Sequence, residues 1–202
     1  MSTITETDPK DSGAARTRGG SRLAAACAAL LALCCLVAAA AAARPAPQTS
    51  PGDSLDPRTY DASSRLFLVA HATGVQKYTC QANGTWLFTD PEATLFKSTG
   101  TSQPIGTHFL NFATGRPVWQ LDDGSSVEAA RTVGVGGGAG NIAWLLLRGI
   151  VQSGDRLGET AWVQRLNTSG GVAPDGTCAP GSTEAVPYTA DYFFWRSGDG
   201  DA

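Results

Sequence analysis

The chain holds two histidines, His71 and His108, and both sit in segments dense with aromatic and β-branched residues. Imidazole is the side chain best suited to acid–base work and zinc ligation near neutral pH. As metal ligands the pair would need a third partner, Asp90, Glu92 or Asp191, supplied by folding. No H-x-H or H-E-x-x-H spacing supports a metal, and none is expected. His71, His108 and Glu92 are the catalytic candidates for a hydrolase or metal-dependent enzyme. The simpler reading is that each histidine hydrogen-bonds in or beside a strand. No G-x-S-x-G elbow is present for a serine nucleophile. Glycoside cleavage needs two carboxyl groups about 5–10 Å apart. Glu92, Asp122, Asp123 and Asp191 are available for that, though Asp122-Asp123-Gly124 reads as a solvated turn.

Residues 134–139 read GVGGGA, which satisfies G-x-G-x-x-A. A dinucleotide site needs a helix to follow at once, and the next residues are short, strand-like and Gly-ended. A flexible loop is the expectation, with no cofactor. Arg165, between Gln164 and Leu166, is a charge inside a strand. It can anchor a ligand carboxylate or pair with an acid on the sheet surface. Trp119 is a candidate to stack on a planar ligand, with core packing as the alternative for all five tryptophans.

What must position these groups is a set of short strands. There are 24 glycines and 11 prolines, and charged residues make up only 16% of the chain. Apolar runs lie at 65–72, 75–80, 85–89, 93–97, 105–110, 118–121, 125–130, 142–151, 161–167 and 186–196. Turn signals separate them, and no stretch after residue 73 holds a helical period over three turns. About ten short strands predict an all-β fold, a single antiparallel sandwich or barrel over residues 63–196. The last run, VPYTADYFFWR, is so apolar that it must be central in its sheet or covered on both faces.

Residues 1–43 read as a signal peptide. A polar stretch with Arg16, Arg18 and Arg22 leads into uncharged residues 23–43, which end in an alanine run before Arg44. If uncleaved, that run is long enough to anchor the chain in a bilayer. Cleavage removes Cys27, Cys34 and Cys35 and leaves Cys80 and Cys178, which in an exported chain read as one disulfide. Residues 44–62 read as a Pro-rich linker and 197–202 as a disordered tail. From Arg44 onward, 11 basic residues face 15 acidic ones without a basic block. That excludes a nucleic-acid footprint, and the membrane is reached only through the N-terminal segment.

The ordered string of motifs resembles a family of exported bacterial and fungal proteins classed as a domain of unknown function. The matching pieces are VAHATGVQ at 69–76 with Tyr78 and Cys80, PEATLF at 91–96, GTHF at 106–109 and VQRLNT at 163–168. GGVAP at 170–174, Cys178 and VPYTADYFF at 186–194 complete the set. The resemblance spans about residues 65–195 and implies no activity, cofactor or partner. Against that pattern residues 110–117 and 134–140 are expanded, and both are expected to be surface loops. The function expected is a secreted or envelope-associated, non-catalytic protein that binds an unknown small ligand or envelope component. The alternatives are the histidine-dependent enzyme above and a structural surface protein.

Overall fold

The computed structural model describes residues 52–97 and 103–198. The signal-peptide reading of residues 1–43 lies outside them. Eight strands follow one another: β1 (Arg65–Cys80), β2 (Trp86–Phe96), β3 (Pro104–Asn111), β4 (Arg116–Leu121), β5 (Ser126–Val135), β6 (Trp144–Ser153), β7 (Thr160–Gly170) and β8 (Thr183–Arg196). Each pairs antiparallel with the next, and β8 returns to β1, so the sheet closes into a barrel. The seam between β1 and β8 is long, with partners from Arg65↔Arg196 to Thr79↔Thr183. Closure leaves no edge strand unpaired.

The expected all-β barrel is therefore present, with eight strands in place of about ten. The difference lies at two turn signals that are absorbed into strands. Thr73-Gly74 continues β1, because Gly74 supplies close approach rather than a turn. A Cβ there would collide with the Glu92 carbonyl oxygen and with Ala93 on the neighbouring strand. Asp90-Pro91 continues β2. A bulge at Lys77/Tyr78 accommodates it, and Pro91 lies opposite Gln76. Residues 110–117 are also tighter than expected: Leu110 and Asn111 end β3, Arg116 and Pro117 begin β4, and residues 112–115 make the turn. In the glycine run, Gly134 and Val135 belong to β5, and the loop proper begins at Gly136. The Asp122-Asp123-Gly124 turn forms as read, with Gly124 at φ 84° and Asp123 accepting from the Ser125 amide and hydroxyl.

Alternation sorts the side chains. Ala70, Ala72, Leu95, Trp119, Leu121, Val127, Val163, Tyr192 and Phe194 fill the barrel interior. A second apolar layer lies outside the wall, where Trp144 and Leu146 of β6 and Trp162 and Leu166 of β7 are joined by Phe193 and Trp195 of β8. This explains the apolar run of β8: its inward face meets the core and its outward face meets this layer.

The cover comes from the stretch read as a linker. Its described part forms two single-turn 3-10 helices, Asp53–Leu55 and Pro57–Thr59. Leu55 is fully buried against the outer layer. Tyr60 packs on Trp162 at 5.3 Å between ring centroids, and Gln164 Nε2 donates to the Leu55 carbonyl at 2.6 Å. Burying the Leu55 side chain contributes about 2 kcal/mol. Among the described residues no helix is long and apolar enough to cross a membrane.

Candidate binding site

Four connections gather at one end of the barrel: residues 81–85, 112–115, 136–143 and 171–182. Between them the interior opens into a cavity of about 630 Å³, a size ordinary for small-molecule sites. Cys80 and Cys178 are joined by the expected disulfide, with Cα atoms 5.8 Å apart and 98 residues between them in sequence. The bridge fastens the 171–182 loop to the end of β1, while Cys178 N donates to Gly84 O at 3.1 Å in the neighbouring hairpin. Tyr78, also on β1, holds the start of the same loop by donating its hydroxyl to Gly171 O at 2.6 Å.

The wall of the cavity is mainly apolar toward the mouth, with Phe88, Leu110, Ile142 and Val172, and Leu145 lies level with Arg165. Its deeper part is polar. Arg165 projects from β7 into it and spends Nε on the Ala143 carbonyl at 3.0 Å. Gln76 and His108 line it with Arg165. Tyr192, the cross-strand partner of Arg165, is buried beside it. Tyr188 is buried with its hydroxyl against the side chains of Gln76 and Tyr192, and none of the three makes a well-formed hydrogen bond there.

His108 is fixed and neutral. Its Nδ1 lies 2.8 Å from the Val118 carbonyl, an acceptor only, so Nδ1 carries the proton. Burial pushes its pKa down to about 3, against a smaller upward pull from the Val118 carbonyl. The ring stacks on Trp119 at 4.5 Å and packs against Tyr192 at 5.1 Å. Burial pushes the Tyr188 and Tyr192 phenols up, so both keep their protons at neutral pH.

The residues singled out by sequence separate cleanly. Arg165 and His108 meet at the cavity. Trp119 does not line it: it is 1% exposed and stacked behind His108. His71 is on the outer face of the wall, with Nδ1 2.8 Å from Asp191, whose other oxygen accepts from Asn167 Nδ2 at 2.8 Å. Glu92 also faces outward, in an ion pair with Lys77. The two histidines therefore lie on opposite sides of the sheet, and the fold does not assemble them with Glu92. No cluster of three metal-ligating side chains occurs among the described residues. Asp122 and Asp123 are at the far end of the barrel, within reach of Arg156.

Sequence reading missed Gln76, Tyr78, Tyr188 and Tyr192. The signal was present as period-two spacing: Gln76 and Tyr78 share the face of Cys80 in β1, and Tyr188 and Tyr192 share one face of β8.

Geometry defines the class first: a closed up-and-down barrel with a donor-lined cavity at its disulfide-fastened end. The chain belongs to the family described as Protein of unknown function (DUF3455), whose model matches residues 61–196. No curated protein and no solved structure matches the chain.

Proposed function

We propose that the protein is an exported, non-catalytic binding protein that holds a small molecule in the open end of its barrel. One observation carries this reading. Gln76, with its buried Nε2 lacking a well-formed hydrogen bond, lines the cavity together with Arg165, and the similarly placed hydroxyls of Tyr188 and Tyr192 lie behind them. Leaving a buried polar atom unsatisfied costs about 1–3 kcal/mol. A ligand that reaches Gln76 and Arg165 would complete the bonding of this polar group. The apolar wall above them would bury the rest of that ligand, as in other barrels that bind at an open end.

Export is supported by the uncharged residues 23–43 behind three arginines, and by a disulfide that persists in oxidising compartments. A catalytic reading draws no comparable support, because its residues fall on opposite faces of the wall.

The experiment is a native mass spectrum of the protein recovered from its own host's medium or envelope. A small-molecule adduct lost on denaturation, on a chain beginning near Arg44 with both cysteines oxidised, is the expected result. A clean apo mass across repeated preparations, with no adduct formed on addition of small amphiphiles, would contradict the binding reading. A mass including residues 1–43 would contradict cleavage.

A further inference from the structure

We infer that the ligand carries a single carboxylate, seated on Arg165 at the deep end of the cavity, with its apolar body toward the mouth. This rests on the binding reading above and names the chemistry of that site.

The charge balance comes first. Three arginines line the cavity, Arg116, Arg131 and Arg165, and the described lining residues include no aspartate or glutamate. Arg116 is at the rim and is neutralised by Glu128 at 3.2 Å. Arg131 is exposed, with its guanidinium lying over Gly134. Arg165 is the cation inside, and no acid pairs with it among the described residues. Arg165 is half-buried and faces the cavity without a counter-charge, so an anion entering the cavity would complement it.

The donor balance points the same way. Arg165 spends Nε on Ala143 and lies against the Tyr192 hydroxyl, which leaves N–H groups of its five to face the cavity. Near it, Gln76 Nε2 lines the cavity and the Tyr188 and Tyr192 hydroxyls lie beside the guanidinium, and each of these atoms carries a proton to donate. A site of spare donors is complementary to a group that only accepts. His108 has no second charge to offer, since it is neutral at physiological pH. One fixed positive charge with a planar fork suits a monoanionic, planar carboxylate better than a dianionic phosphate. Above it, Leu110, Ile142 and Val172 give an apolar shaft for an alkyl or aryl body, with Leu145 level with Arg165 on the neighbouring strand.

The test compares isosteric pairs by isothermal titration calorimetry on the disulfide-bonded protein: decanoate against 1-decanol, and 2-naphthoate against 2-naphthylmethanol. The carboxylates should bind at least about 10-fold more tightly, the scale of a hydrogen bond to a charged group. Arg165→Met should weaken carboxylate binding about 10- to 100-fold and leave the alcohols unchanged, while Arg165→Lys should keep part of the preference. Should Arg165→Met fail to fold, wild type alone decides. Its affinity for carboxylates should fall between pH 7 and pH 4 as the ligand protonates near the ordinary carboxyl range of about 4, with the alcohols unaffected. Equal affinity for acid and alcohol, independent of pH, would overturn the carboxylate while leaving a binding cavity in place. An adduct from the host that contains no acid group would do the same.

Discussion

Lowering the pH should destabilise the barrel through His108 before its carboxylates titrate. In the folded state burial holds this imidazole neutral, with a pKa pushed down to about 3. In the unfolded chain it titrates near its ordinary value of 6.5. Below pH 6.5 the unfolded state binds a proton that the folded state refuses, so stability falls with pH by about 1.4 kcal/mol per unit. The contribution is fully present above pH 6.5 and is lost progressively as pH falls toward 3. Between pH 8 and pH 5 the linkage integral is about 2 kcal/mol. The assay is urea unfolding of the apo protein at several pH values, for wild type and His108→Gln. Glutamine keeps an N–H for the Val118 carbonyl without a titrating group. His71→Gln serves as control for the other histidine. Wild type should lose about 2 kcal/mol more than His108→Gln across this range, the carboxylate contribution being common to both. Curves parallel within about 0.5 kcal/mol would show that His108 is not held neutral inside the barrel.

Three further outcomes follow from the packing. Removing the bridge with Cys80→Ala and Cys178→Ala should cost up to about 4–5 kcal/mol in the chain-entropy model for a loop of this length; urea midpoints and slopes check it, and a loss under about 1 kcal/mol would mean that the unfolded chain is already constrained. Leu55→Ala should cost about 2–4 kcal/mol in thermal or urea unfolding, because a buried side chain leaves a cavity over the outer layer; no change would place residues 53–60 off the barrel. Gly74→Ala should destabilise by about 1–3 kcal/mol, since its Cβ meets backbone of β2, and wild-type stability in that variant would refute the close approach at that pair.

Much of the wall was legible because period-two patterns and turn chemistry are local. Val75 to Cys80 alternates as a half-buried strand should, and Asp122-Asp123-Gly124 announces its turn. The two cysteines outside residues 1–43, Cys80 and Cys178, could be paired without knowing the topology. Gly74 and Pro91 misled for one reason: their usual meaning is a turn, and here the neighbouring strand decides. In a closed barrel a glycine also lets two backbones approach, and a bulge absorbs a proline. The cover supplied by Leu55 was illegible because a Pro-rich stretch shows no period, and its partner surface on β6–β8 exists only once the sheet has closed.

At the site, Arg165 stood out as a charge within a strand. Gln76, Tyr188 and Tyr192 did not, since inward-facing tyrosines look like core until a cavity is found beside them. His71 and His108 drew attention by rarity, yet 37 positions apart in sequence they land on opposite faces. That is a matter of strand parity, which short apolar runs with an unseen bulge do not fix.

The most direct test is a crystal structure of the disulfide-bonded protein with 2-naphthoate. Binding as proposed places the carboxylate within about 3 Å of the Arg165 guanidinium, the distance of a charge-assisted hydrogen bond, with the rings between Leu110 and Leu145. An empty cavity with Arg165 satisfied by protein groups, or naphthoate bound only on the outer wall, would contradict it.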